Sequence, residues 1–320
     1  LLIKYALISD IHGNFPALKA VILNAMENKV DSYIFLGDYC IGLAYPNEVM
    51  DYIRSIESGY VVSGNEDEAF INLASATPDE LPKGQYEAGP WVYNVLSERN
   101  RSYLCGLPQE IIIKKDNRPP VFAFHKPHRY FSGTSPCSIN PQYFAEGMDD
   151  KKFDCESYHT HSNAILNCDT DLHSIISKLE NGVYIFGHTH IPLCWEREGK
   201  LLINPGSCGL PLDFNRDASY GILEWTGSCY KATLKRVTYD VNAAINHTKK
   251  SNYTKEVKVW AGVITKELET AREQATPFIR FAEKYASGIQ DKVRPFCPET
   301  WYSAYKAWCK YNKNSWEGQV

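Results

Sequence analysis

A chain of 320 residues with 44% hydrophobic and 22% charged residues, 20 Gly and 17 Pro has room for one large domain or two, and its composition excludes a disordered, collagenous or coiled-coil protein. The net charge of −4 gives no general pull toward nucleic acid or acidic membrane surfaces. No run reaches the roughly 18 apolar residues of a spanning helix, and Leu1 to Ser9 lacks the basic region and cleavage site of a signal peptide, so a cytoplasmic protein without a membrane partner is expected.

Ile3 to Ile8 reads as a buried strand, followed by a helix that admits Pro16 in its first turn and repeats Leu18, Val21, Ile22 and Ala25 at helical spacing. Tyr33 to Leu36 is a second strand, Asn47 to Ile56 a second helix and Tyr60 to Val62 a third strand, a run of βα units. Further strands are expected at Ile111 to Lys114, Val121 to Phe124, Val183 to Phe186, Leu201 to Ile203, Tyr220 to Trp225 and Tyr230 to Arg236. The last of these follow one another with little helix between them, so the sheets should mix parallel and antiparallel strands.

After Tyr239 the pattern becomes helical. Val257, Trp260, Ala261, Ile264, Leu268 and Ala271 trace one face, Phe278, Phe281, Ala282 and Tyr285 a second, and Glu299 to Tyr311 reads as a third helix. The charge changes with the pattern: residues 236–320 carry 14 Lys/Arg against 9 Asp/Glu, a balance of +5, and the preceding residues carry −9. Residues 1–239 are therefore read as one domain and 240–320 as a helical, aromatic-rich extension. Trp260, Trp301, Trp308 and Trp316 are read as core packed on the first domain or on a second subunit, which would make the chain a homo-oligomer, in preference to a stacking surface for nucleic acid. The 10 Cys are dispersed without a CxxC pair and read as reduced, mostly buried thiols.

The chemistry sits where strands end. Ser9-Asp10-Ile11-His12-Gly13-Asn14, Gly37-Asp38, Gly64-Asn65, His125 and Gly187-His188-Thr189-His190 each follow an expected strand. In an α/β sheet, groups at the carboxyl ends of neighbouring strands converge on one crevice. Singly, such fragments are mostly turns; five together bring metal-binding side chains to one place. Imidazole, carboxylate and amide oxygen without sulfur suit Mn, Fe, Zn, Co or Ni better than Mg or Ca.

The set SDIHGN, GDY followed by PNEV, GN, H, GHTHIP and INPGS resembles the calcineurin-like metallophosphoesterases, particularly their compact bacterial phosphodiesterase and phosphatase-like branch. The resemblance spans about residues 3 to 240. It implies a four-layer α-β-β-α sandwich of two mixed sheets, with Asp10, His12 and His190 on one divalent ion, Asn65, His125 and His188 on the other, and Asp38 between them. It further implies hydrolysis of a phosphodiester or phosphomonoester, on a small phosphorylated substrate or nucleotide, by in-line attack of a hydroxide held between two ions about 3.5 to 4 Å apart. Asp38, Asn65, Glu66 and His125 are the expected catalytic groups.

Three departures stand out. Many relatives place His after the Asn ligand, where this chain has Glu66; a carboxylate beside two cations is a poor proton donor, which favours esters of acidic leaving groups. A non-catalytic scaffold on a decayed phosphoesterase fold is the alternative this residue raises. Lys126, His128 and Arg129 follow His125 where Gly is usual, and with Asn65 they are the expected phosphate contacts. Residues 126–182 exceed what the sheet connection needs; they read as an insertion that narrows the active site, and Cys155, His159, His161, Cys168 and His173 within it match no zinc spacing.

Overall fold

The computed structural model describes residues 2–75, 83–115, 117–139 and 154–316. Five strands form the first sheet: β1 (Ile3–Ile8), β2 (Ser32–Phe35), β3 (Gly59–Val61), β9 (Ala218–Trp225) and β10 (Tyr230–Val237), in the order β10-β9-β1-β2-β3. β1, β2 and β3 are parallel, and Ile8 pairs with Phe35 while Phe35 pairs with Val61. That register ends the three strands in step and sets Asp10, Asp38 and Asn65 side by side. The second sheet contains β4 (Glu110–Ile113), β5 (Val121–Phe124), β6 (Gly182–Ile185), β7 (Leu193–Arg197) and β8 (Lys200–Asn204), in the order β4-β5-β6-β8-β7. Here β5, β6 and β8 run parallel and deliver His125 and His188 to the same edge.

The two-residue period of β1 explains the layering. Tyr5 and Leu7 face the second sheet and pack with Ile34, Val121, Ala123 and Ile185. Ala6 and Ile8 face outward, onto Leu18, Val21, Ile22 and Ala25 of α1 (Phe15–Glu27). A strand covered on both faces must be apolar throughout, which is why β1 reads as a continuous run. Asn14 caps α1 by accepting the Ala17 amide at 3.2 Å. The same outer layer holds α2 (Pro46–Ser55), α3 (Asn65–Ser75), α4 (Ala88–Val95) and α5 (Glu98–Cys105). The last three lie where no element was expected: Gly89 and Pro90 weaken the helical pattern of α4, and the start of α3 reads as a turn.

The other outer layer comes from α6 (His128–Phe131), α7 (Ser135–Ser138), α8 (Cys155–Cys168) and α9 (Thr170–Ile176), whose Phe131, Leu166, Leu172 and Ile176 pack on Phe124, Tyr184 and Phe186. The described residues of 126–182 thus supply the fourth layer, where the sequence reading expected an insertion narrowing the active site. β7 was also unexpected. Leu193 and Trp195 are buried while Cys194 is exposed, and Glu198-Gly199, both with positive φ, turn the chain back into β8.

Among the described residues, five helices follow β10: α10 (Val241–Lys250), α11 (Asn252–Glu256), α12 (Lys258–Thr270), α13 (Ala275–Gly288) and α14 (Pro298–Trp316). α12 is apolar on more than one side. Val259 and Val263 join Phe278, Ala282, Trp301 and Trp308 in a core of the helices' own, while Leu268 packs with Leu43 and Leu210, and Val257 and Ala261 with Ala88. Trp301 and Trp308 are buried within this core, so neither offers a stacking face; the Trp316 side chain lies outside the described residues. All 10 cysteines are free thiols, but only Cys40 and Cys208 are buried and Cys168, Cys194 and Cys229 are exposed, which corrects the expectation of mostly buried thiols. No helix among the described residues is long and apolar enough to cross a membrane.

Candidate metal centre

Five residues that the sequence singles out stand in the left-handed region of the backbone: Asp10 (φ 53°), His12 (49°), Asp38 (55°), His188 (71°) and His190 (61°). Each such residue costs roughly 1–2 kcal/mol, and such strain gathers at functional sites. The turns are locked to one another. The Asp10 amide donates to Gly37 O, those of Ile11 and His12 to Asp38 O, and that of Gly13 to Tyr39 O. Ser207 Oγ donates to Asp10 O at 2.6 Å, and Asn204 Nδ2 donates to Gly187 O at 2.9 Å, which ties the INPGS segment to both the first and the last ligand turn.

Asp10, His12 and His190 form one cluster of potential ligand atoms, and Asp38, His125 and His188 a second. His12 Nδ1 lies 2.7 Å from Ile41 O, and His190 Nδ1 lies 2.7 Å from Leu210 O. A carbonyl only accepts, so both Nδ1 atoms carry a proton and each Nε2 is the nitrogen left to face a cation. Those two Nε2 atoms face each other at 3.1 Å. His125 repeats the pattern, with Nδ1 donating to Leu36 O at 2.6 Å and Nε2 3.2 Å from Asp38 Oδ2. Imidazoles whose outer nitrogen is fixed by a carbonyl and whose inner nitrogen meets another imidazole nitrogen or a carboxylate are arranged as metal ligands are. Asn65 Oδ1 is buried and has no hydrogen-bond partner among the described residues, as a ligand oxygen would be without its ion.

The electrostatics agree. Burial opposes ionisation of Asp10, yet His190, His125 and His12 hold its carboxyl well below the ordinary range. Burial likewise opposes ionisation of Asp38, and His125 and His12 pull its carboxyl down. Burial would lower His12, but Glu66, Asp38 and Asp10 raise it to about 10. His125, which burial would also lower, is raised to about 9, chiefly by Asp38. His188 goes the other way: burial and the neighbouring His125 push it down to about 4, leaving a neutral imidazole with a free lone pair. The centre therefore concentrates anionic charge that only protons or bound cations can balance.

Glu66 lies at the edge of this group. Its Oε2 is 3.2 Å from His12 Nδ1, and it forms a third potential ligand cluster with His12 and Asp38. Its amide donates to Asp38 Oδ1 at 2.9 Å. In the chain itself, burial raises its carboxyl and His12 opposes that rise. The basic residues after His125 do not converge on the centre in the same way. Arg129 Nη2 pairs with Glu110 at 2.8 Å, Lys126 Nζ lies 3.9 Å from Glu68, and the His128 ring is 6.1 Å from that of His188.

Asp67 was missed. Buried between the two turns, its carboxylate accepts the amides of Asp38 and Gly64 at 2.8 Å each and of Tyr39 at 3.2 Å, so one side chain sets the spacing of the Asp38 and Asn65 turns. An acidic residue two positions after a strand-terminal Asn was the available signal. Farther off, Cys155 and His159 meet buried Asp213, to which Arg236 is also paired; His161, Cys168 and His173 are not part of that group.

A cavity of about 670 Å³ opens from the centre. His12, Asp38, Asn65, Glu66, His188 and His190 line one end. α3 runs from that end along the cavity, and α4, α12 and α13 supply much of the rest of its wall, so the helices after β10 contribute to the site.

Residues 3–228 match the family model for the calcineurin-like phosphoesterase superfamily domain. The chain is 30% identical over 256 residues to an uncharacterized protein, MJ0912, of Methanocaldococcus jannaschii, covering 75% of this chain and 89% of that one. Among solved structures it is similar to a metallophosphoesterase from Sphaerobacter thermophilus, with a TM-score of 0.55, 20% identity and coverage of 84% and 99% of the two chains. It is similar also to the hypothetical protein PH1004 from Pyrococcus horikoshii OT3, with a TM-score of 0.59, 20% identity and coverage of 85% and 99%. At these identities the structures speak for the fold.

Proposed function

The chain belongs to the calcineurin-like phosphoesterase superfamily, and from that premise we propose that it is a dinuclear metal-dependent hydrolase of a phosphodiester or phosphomonoester. The observation that carries this reading is the pair of Nε2 atoms of His12 and His190, 3.1 Å apart with both Nδ1 atoms committed to carbonyls. Asp10, His12 and His190 would hold one divalent ion, Asn65, His125 and His188 the other, with Asp38 shared. Bound there, Mn, Fe, Zn, Co or Ni would neutralise the non-bridging phosphate oxygens and supply a nucleophile at neutral pH. The protein's own part is orientation: the locked turns fix the donors before any ion arrives, and Asn65 directs its side-chain oxygen into the site. Glu66, in contact with His12, holds that ring and shapes the leaving-group side. Residues 1–239 would carry the centre and 240–320 a wall of its cavity.

The test is direct. The purified chain should hold near two equivalents of transition metal and hydrolyse bis-p-nitrophenyl phosphate or p-nitrophenyl phosphate, with Asp38→Asn losing at least about a hundredfold in rate. A chain that takes up no metal and hydrolyses neither ester is a scaffold, and the reading falls.

A further inference from the structure

The cavity carries more information than its metal end. Trp260, Ile264 and Ile279 from the helices after β10 face Leu73 and Pro90 from α3 and α4 across it. Among the described lining residues there is no lysine or arginine; apart from Asp38 and Glu66 at the metal end, the charged groups are Glu267 and Glu273. Both are committed to the backbone: Glu267 accepts the amides of Gln274 and Ala275 at 2.9 Å, and Glu273 that of Thr276 at 2.8 Å. Tyr253 also borders the cavity, but its side chain is fully buried and its hydroxyl is closed to solvent, so it backs the apolar wall and presents no polar group to a ligand.

We infer that this cavity receives the organic group of the substrate, and that the substrate is a phosphate ester bearing a single phosphate on an uncharged, largely aromatic or aliphatic group. The inference rests on the phosphoesterase reading and narrows it. A nucleoside di- or triphosphate brings further phosphate charges, and enzymes that bind these clamp them with Arg or Lys. This cavity offers them acidic side chains and, among the described lining residues, neither Arg nor Lys. An apolar group gains what such a surface can give, removal from water. The helices after β10 thus act as the specificity wall of a centre built by the two sheets.

The chain loaded with Mn²⁺ is assayed on phenyl phosphate, 2-naphthyl phosphate and ATP. Phenol and 2-naphthol are leaving groups of similar acidity, so the ratio of the two kcat/KM values reads the binding of the added ring. A ratio of about tenfold or more in favour of naphthyl is expected, with ATP the poorest of the three. Ile264→Asp and Ile279→Asp, both at half-buried positions, should each draw the ratio toward one. A wild-type ratio near one, or ATP as the best substrate, overturns the inference and leaves the phosphoesterase reading standing. Calorimetry of the Mn²⁺-loaded chain with 2-naphthylmethylphosphonate and methylphosphonate decides the cavity independently of turnover. Tighter naphthyl binding with a negative heat-capacity change supports the assignment, and equal binding overturns it. Naphthyl-selective binding in a chain that hydrolyses no ester would support the cavity and overturn the phosphoesterase reading.

Discussion

Replacing Gly64 by Ala tests whether the geometry of Asp38 governs the centre. Gly64 has no left-handed φ, so Ala there meets no backbone penalty and the whole effect is steric. A methyl group at this position would lie 2.8 Å from Asp38 Cγ and closer still to Asp38 Oδ1 and the Asp38 amide nitrogen. Ordinary contact requires the carboxylate to withdraw by roughly 1 Å, a displacement that costs about a hundredfold when it falls on reacting geometry. The same motion strains the bond from the Glu66 amide to Asp38 Oδ1 at 2.9 Å and the 3.2 Å approach of Asp38 Oδ2 to His125 Nε2. Overpacking of this kind also lowers stability by about 1–3 kcal/mol. Metal content after dialysis, kcat/KM on bis-p-nitrophenyl phosphate and urea denaturation would be measured together. Gly227→Ala serves as the reference: Gly227 has φ 101° with nothing within 4 Å of an added methyl group, so it should lose stability alone, by about 1–2 kcal/mol. A Gly64→Ala chain that keeps its metal and hydrolyses within twofold of wild type would refute the argument that Asp38 is placed by this close approach.

Chelation should lower the melting temperature by about 5 °C or more, since metal at a hundred times its dissociation constant contributes about 2.7 kcal/mol, with Mn²⁺ or Zn²⁺ restoring it; a melting curve indifferent to chelator would contradict the cation-binding geometry. Asp67→Ala removes three amide contacts from the Asp38 and Asn65 turns, so it should weaken metal binding by 10-fold or more although Asp67 is not a ligand, and inductively coupled plasma measurements at limiting metal would detect this. Glu66, engaged with His12, is poorly placed to protonate a leaving alcohol. Aryl phosphates should therefore be cleaved far faster than alkyl phosphates of equal charge, and Glu66→His should narrow the gap; equal wild-type rates on both would remove the argument. Trp301, in ring contact with Trp260, Phe278 and Phe296, should cost about 3–5 kcal/mol on replacement by Ala in urea denaturation.

What the sequence reveals and what it hides have separate physical causes. The strands of the inter-sheet core are legible because burial on both faces forces unbroken apolar runs, as in Ile3–Ile8 and Val121–Phe124. The convergence of Asp10, His12, Asp38, His125, His188 and His190 is legible because each follows a strand end. Asp67 was easily passed over because it works through the backbone amides of its neighbours, and an acidic residue just after a strand-terminal Asn is a faint signal beside the ligand-type residues. The placement of Arg129 was misleading for a related reason: a basic residue beside His125 suggests phosphate, but Glu110 on β4 pairs with it across the chain, a contact that spacing cannot disclose. The role of α12 was half visible. Its apolar positions spell a helix, but their distribution over several faces shows that it packs on its own bundle and on the first sheet's helices at once.

The left-handed backbone at Asp10, His12, Asp38, His188 and His190 bears on how the centre selects an ion. Strain at five positions is tolerated only because the surrounding hydrogen bonds over-determine the turns, among them Gly13 to Tyr39 O, Ser207 to Asp10 O and Asn204 to Gly187 O. A site fixed in this way cannot adapt its donors to the ion; the ion must accept the donors as they stand. On the proposed reading, selectivity would then follow from donor chemistry, three or more imidazoles with carboxylate and amide oxygen and no sulfur, which would rank first-row transition metals above Mg and Ca. Cys40, two residues beyond Asp38, is consistent with this exclusion: it is buried, its thiol is pushed well up by burial, and its Sγ donates to Pro46 O, away from the centre.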